Sequence, residues 1–134
     1  LLESSRVETV EIDLEKLNKS LKLDWKESPS ENLFIDGHLS HNLPVDCVIL
    51  FRCRPDILEE RLRRRKWSEE KIAENVECEL LSILINEIDK GISTLEVDTT
   101  NKKISETWNE VNEWLNGDRK TRMLQIDWIA ELHS

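Results

Sequence analysis

Two clusters in this chain have the residue types and spacing that chemistry on a phosphate would need. In the first, Phe34-Ile35-Asp36-Gly37-His38-Leu39-Ser40-His41, a short apolar run ends in a carboxylate, a glycine and an imidazole. A strand over Leu33-Phe34-Ile35 would set Asp36 and His38 at its carboxyl end, where open α/β sheets hold their ligands. In the second, Arg61 and Arg65 stand four residues apart in a helical pattern. Such residues share one helix face about 6 Å apart, so two guanidinium forks can grip one polyphosphate. Each cluster also has a plainer reading: Asp36 caps a turn with His38 as a loop hydrogen-bonder, and the arginines are a solvated face. His41 has H-x-x-H spacing to His38, but a zinc site would want a third and a fourth ligand nearby.

The charge distribution favours the phosphate reading. The net charge is −9 over 134 residues, which argues against coating a nucleic acid as the purpose of the fold. Between Arg52 and Lys71, however, eight basic and five acidic residues make a local surplus of +3 on an otherwise acidic chain. The three cysteines, Cys47, Cys53 and Cys78, form no C-x-x-C pair and read as free thiols in a reducing compartment. No apolar run nears the roughly 18 residues that span a bilayer, and Leu1–Arg6 lacks both parts of a signal peptide. The expectation is a soluble cytoplasmic protein without a membrane partner.

Several elements must position these clusters. Val7–Ile12 alternates as a short strand, Asp13 caps a helix marked by Leu14, Leu17, Leu21 and Trp25, and Leu33–Ile35 reads as a brief strand. Val45–Phe51 is an almost unbroken apolar run ending at Arg52, the composition of a parallel strand buried on both faces and central or next to central. Pro55 opens a helix that runs to about Lys66. Ser68 then caps what reads as the longest helix, with Ile72, Val76, Leu80, Ile83 and Ile88 in one stripe over roughly 20 residues. Thr94–Asp98 is a further strand, Ile104, Trp108, Val111 and Leu115 mark a helix stopped by Gly117, and the tail through Leu124–Trp128 reads as extended. Strand, helix pair, strand, helix is the grammar of an α/β sheet, and 38% hydrophobic content supports one domain over 1–134.

These residues resemble a known family, the adenylate kinase isoenzyme 6 or CINAP-type P-loop nucleotide kinases, in particular the archaeal members. The match is carried by Ile35–His41, Val48-Ile49-Leu50-Phe51-Arg52-Cys53-Arg54-Pro55, Leu58–Leu62, Arg65–Ile72, Glu74–Glu79, Val97–Lys102 and Gln125–Trp128. The resemblance implies a three-layer α/β/α nucleotide kinase fold with a parallel sheet, ATP and magnesium as ligands, and phosphoryl transfer to AMP, another nucleoside monophosphate or water. It also implies a part in small ribosomal subunit maturation beside a platform ribosomal protein and ribosomal RNA. Asp36 and His38 resemble the family's D-x-H motif, Asp36 on the magnesium side and His38 near the attacking water. Arg61 and Arg65 resemble lid arginines, Arg61 towards the adenine and Arg65 on the phosphates, with a short lid at residues 66–71. Thr99, Asn101 and Lys102 fall in the loop that wraps adenine in this fold, although an ordinary βα turn fits their spacing equally well. Asp127 and Trp128 match an archaeal feature whose purpose the sequence does not reveal. One motif departs from the pattern: G-x-x-x-x-G-K-[ST], the phosphate-cradling loop, occurs nowhere in these residues. The expectation is a fold whose first βα unit, with that loop, lies outside this sequence.

Overall fold

The structure, a computed structural model, describes residues 32–37 and 40–133. The expected strand at 7–12, the helix from Leu14 to Trp25 and His38 lie outside the described residues. The chain divides into two compact units, Leu1–Asp46 and Cys47–Ser134.

In the first unit, Gly37 takes φ 155°, a backbone setting that favours glycine, and a 3₁₀ turn covers Ser40–Asn42. The strand expected at Leu33–Ile35 does not form: these residues have no regular structure, and Leu33 and Phe34 stay more than half exposed. A strand exists only through a ladder partner, and residues 33–35 pair with no described strand.

The second unit is built on two parallel strands, β1 (Cys47–Arg52) and β2 (Ser93–Asp98), in register from Cys47 opposite Ser93 to Arg52 opposite Asp98. Between them the chain runs through α1 (Pro55–Arg64), α2 (Glu69–Leu80) and α3 (Ile83–Glu87); after β2 come α4 (Ile104–Asn116) and α5 (Trp128–Leu132). Such a crossover is what a parallel pair requires. Pro55 sits in the first turn of α1, where its missing N–H costs nothing. That helix ends in a Schellman arrangement: Lys66 turns left-handed at φ 60°, its N–H donates to Arg63 O at 2.9 Å, and Trp67 N–H donates to Leu62 O at 3.3 Å. Ser68 then caps α2 as the sequence indicates, its Oγ accepting from Lys71 N–H at 3.3 Å.

Three expectations are corrected here. The single long helix is two, broken at Leu81–Ser82, where Ser82 adopts φ 54°, ψ 40°. Neither glycine nor proline breaks it; the Oγ of Ser82 accepts from Arg52 Nη2 at 2.8 Å, a partner 30 residues away. β1 is not buried on both faces, since Phe51 is 55% exposed; the more deeply buried strand is β2, where Thr94, Leu95, Glu96 and Val97 are all buried. β2 lies between β1 and the tail, since Arg122 bridges to Leu95, donates N–H to Thr94 O at 2.8 Å and accepts from Glu96 N–H at 3.0 Å. Finally, the tail is not extended throughout. Asp127 Oδ1 accepts from Ala130 N–H at 3.1 Å and starts α5.

The core lies on one face of the sheet, where Val111, Trp114 and Leu115 of α4 pack on Leu95 and Val97, with Cys47 and Ile49 alongside. Burying each such aliphatic side chain contributes about 1.5–3 kcal/mol. Ile104 and Trp108, expected in the same stripe, remain exposed and half-exposed. On the opposite face of β2, Glu96 is buried, and the site begins there.

Candidate functional site

Both strands of the second unit point their carboxyl ends at one place. The loop after β2 is held there by the end of β1: Thr99 N–H and Thr99 Oγ1 both donate to Arg52 O at 2.7 Å. Thr100 is fixed in turn, its N–H donating to Asp98 Oδ1 at 3.0 Å and its Oγ1 accepting from Arg54 N–H at 2.9 Å. Short hydroxyl side chains make such local bonds readily, which gives this loop one shape.

Arg61 of α1 reaches into the same loop. Its Nη2 donates to Thr99 O at 2.8 Å and Thr100 O at 3.0 Å; its Nη1 donates to Thr99 Oγ1 at 3.1 Å and Cys53 Sγ at 3.3 Å. A guanidinium has five donors in a rigid fork, so these bonds set the angle of α1 against the loop. Arg65, one turn further along, is exposed at the C-cap; its backbone N–H closes the helix on Leu62 O at 3.1 Å, and its guanidinium meets no described residue. Its neighbours differ: Arg63 pairs with Glu59 and Glu69, and Arg64 with Glu60 at 2.9 Å. Asn101 is exposed at the turn. Lys102 Nζ donates to Glu110 Oε2 at 2.5 Å, which ties the loop to α4.

Behind the loop lies a buried ionic cluster that local sequence patterns do not reveal. Arg52 is 2% exposed; its Nε donates to Glu79 Oε1 at 2.7 Å, its Nη1 to Glu96 Oε2 at 2.5 Å and its Nη2 to Ser82 Oγ at 2.8 Å. Glu96 Oε1 accepts from Leu124 N–H at 2.7 Å, and Glu79 Oε1 also accepts from Trp128 Nε1–H at 2.7 Å. Two carboxylates thus share one guanidinium, and each has a further neutral donor. Buried charges persist only when paired and hydrogen-bonded in this way. The usable signal in the sequence was Glu96, a carboxylate in the middle of a strand, together with an arginine closing an otherwise apolar one. Burial pushes the Cys53 thiol up from its ordinary value; the nearby Arg61 charge works against this, and Glu79 adds to it. Cys53 is therefore a neutral thiol that accepts from Arg61, not a nucleophile.

Of the residues singled out in the sequence, the structure brings Arg61 and Thr99 into contact, sets Asn101 and Lys102 in the same loop, and leaves Arg65 exposed one helical turn after Arg61. The guanidinium of Arg61 is engaged by Thr99, Thr100 and Cys53, whereas that of Arg65 is exposed. Asp36 is exposed in the first unit, and His38 lies outside the described residues. Among the described residues no group of three or more His, Cys, Asp or Glu side chains could hold a metal ion, and no helix is long and apolar enough to cross a membrane.

Comparison with known proteins adds family context. Residues 4–82 match the family model described as AAA domain. A protein of Pyrococcus abyssi named "Putative adenylate kinase" is 43% identical over 120 residues, covering 89% of this chain and 65% of the relative. Proteins of the same name from Thermococcus onnurineus and Pyrococcus furiosus are 39% and 44% identical, over 91% and 77% of this chain and 67% and 58% of their own lengths. The chain therefore spans about two thirds or less of the length of these relatives.

Proposed function

The chain belongs to the AAA-domain family of P-loop proteins, with the α/β fold and parallel sheet of that family, and from this membership we propose that it carries out ATP-dependent phosphoryl transfer of the adenylate kinase type. The acceptor in this reading is AMP or another nucleoside monophosphate, with hydrolysis of ATP as the side reaction. One observation carries it. At the carboxyl ends of β1 and β2, Arg61 anchors α1 to the Thr99–Thr100 loop and leaves the guanidinium of Arg65 in solvent one turn away. That is the arrangement expected of a nucleotide site at the end of parallel strands.

In this reading residues 1–134 are part of one kinase-like domain. Residues 66–71, from the Schellman turn of α1 through the Ser68 cap into the first turn of α2, form a short lid in which Lys71 Nζ lies 5.6 Å from the centre of the Trp67 ring. The exposed Asn101 and the backbone around Lys102 meet the adenine, Arg61 fixes that loop rather than the ligand, and Arg65 meets the phosphates. Asp36 supplies a hard carboxylate oxygen, the donor that magnesium prefers, and the ion would neutralise charge on the transferring phosphoryl group. His38 would orient the acceptor or the attacking water. The donor chemistry fits: one exposed carboxylate suffices, because magnesium in such sites takes its other ligands from phosphate and water.

The test is a coupled assay on the full natural polypeptide with ATP, AMP and magnesium. Formation of ADP that falls in an Arg65→Ala variant is the expected result, and no ADP from either ATP plus AMP or ATP alone would end the reading. The small-subunit maturation role implied by the resemblance belongs to the same proposal. The exposed Arg63, Arg64 and Lys66 are the residues it would use, and failure to retain platform ribosomal proteins or ribosomal RNA in a pull-down would remove it.

A further inference from the structure

The C-terminal Asp127-Trp128 pair has no role in the site described so far, and the geometry points to one. We infer that Trp128 is a positioning residue for the loop at 99–102, acting through Glu79 and Arg52. This rests on reading that loop as part of the nucleotide site.

The path is short and continuous. Trp128 Nε1–H donates to Glu79 Oε1 at 2.7 Å, the same oxygen that holds Arg52 Nε at 2.7 Å and receives Cys53 N–H at 3.4 Å. The carbonyl of Arg52 receives both donors of Thr99 at 2.7 Å, and Thr99 in turn takes Arg61 through its carbonyl and hydroxyl oxygens. From indole to loop there are three side chains and one peptide group, all within the second unit.

The make-up of α5 shows that the indole N–H matters, rather than bulk alone. This helix has five residues; Trp128 is 2% exposed, whereas Ile129 is 45% exposed and Ala130 and Glu131 are also exposed. Asp127 caps the helix and fixes the direction of its first residue. The segment before it is tied down independently, through Leu124 N–H on Glu96 Oε1 and Arg122 on β2. A short helix with one buried side chain, whose only polar atom meets a buried carboxylate, works as a latch on that carboxylate. Without the indole N–H, Glu79 keeps only the long bond from Cys53 N–H as a neutral donor, and the Arg52 fork loses the fixed partner that orients the end of β1. A carboxylate in a low-dielectric site that loses one donor moves towards water or another partner.

Trp128→Phe in the full natural polypeptide isolates the N–H while keeping an aromatic ring. Two quantities are read: amide hydrogen exchange at Arg54 and Thr99, and the dissociation constant of magnesium ATP. Losing a hydrogen bond to a charged group predicts faster exchange at both amides and weaker ATP binding, each by about tenfold. In turnover, KM for ATP should rise while kcat stays within about twofold, the pattern of lost binding rather than lost chemistry. The control Ile129→Ser, on the exposed face of α5, should move neither quantity. Unchanged exchange overturns the inference. So does faster exchange with unchanged affinity in a protein that binds ATP. If the wild-type protein binds no ATP, the proposed function fails, and exchange alone then decides whether Trp128 holds the loop. Should Trp128→Phe fail to fold, Glu79→Gln is read in the same two ways, since it keeps an acceptor for the indole and weakens the hold on Arg52.

Discussion

Replacing Arg52 by methionine keeps an unbranched stem and removes the cation that Glu79 and Glu96 share. Three bonds disappear, to Glu79, Glu96 and Ser82, and the partners left behind are 13% and 2% exposed in their side chains. Removing one member of a buried ion pair costs about 3–5 kcal/mol, mostly through the charge stranded without a partner. Here one substitution strands two, so the upper end applies. Set against a typical domain stability of about 5–15 kcal/mol, the loss is a third or more of the total. At about 3–5 °C per kcal/mol for a chain of this size, Arg52→Met should melt about 15–25 °C below the wild type in a circular-dichroism scan. A second substitution checks the mechanism. Glu96→Gln destabilises the wild type by weakening its bond to Arg52, but in the Arg52→Met background it removes a stranded charge and should restore part of the loss. Such a reversal of sign is an interaction energy, and for residues in contact it should reach at least about 1 kcal/mol. A melting temperature within a few degrees of the wild type would refute the argument. So would Glu96→Gln being equally destabilising in both backgrounds.

Other expectations follow from single contacts. Ser68→Ala removes the N-cap of α2 and should cost about 1 kcal/mol in urea unfolding, while Ser68→Gly should cost only a few tenths. Burial raises the Cys53 thiol above its ordinary 9.0, so the stability this group contributes is complete below pH 9.0 and is lost as pH rises towards its folded value. Unfolding titrations above pH 9.0 should therefore show a falling limb that is shallower in Cys53→Ala, with part remaining because burial also raises Cys78. Asp36→Asn should lower magnesium-dependent turnover without changing the melting temperature; unaltered turnover would remove Asp36 from the proposed site. Arg65→Ala should reduce turnover by about 10²-fold, the loss typical of a missing donor to transition-state charge, with the fold unchanged.

How much of this could be read from the residues divides along the range of the interactions. Elements fixed locally were legible: β1 from its apolar run, α1 from Pro55, α2 from Ser68, and the end of α4 from Gly117. The break at Ser82 was not, because its left-handed backbone goes with a hydroxyl that reaches Arg52, far away in sequence. Leu33–Ile35 has the composition of a strand, yet pairing decides strands, and a three-residue run says nothing about its partner. The expectation that β1 is buried on both faces failed for a related reason: an apolar run does not say what covers it, and Phe51 is 55% exposed. Glu96 and Thr94 make β2 look half-exposed, although Arg52 and Leu124 satisfy the buried carboxylate. In the site, Arg61 and the Thr99–Lys102 loop were both marked in advance, but helical spacing alone predicts that Arg61 and Arg65 act together. Only the tertiary contact with Thr99 shows Arg61 turned inward and Arg65 left in solvent. Trp128 is the extreme case, since its partner Glu79 lies 49 residues away.

The central claim is that the loop at the carboxyl ends of β1 and β2 receives an adenine nucleotide. Amide chemical-shift mapping of the full natural polypeptide during titration with magnesium ATP tests it most directly. The account predicts saturable shifts concentrated at Asn101, Lys102 and Arg65, with α4 and the N-terminal ends of both strands undisturbed. Saturable binding whose shifts fall elsewhere, or no shifts at millimolar ATP, would contradict it.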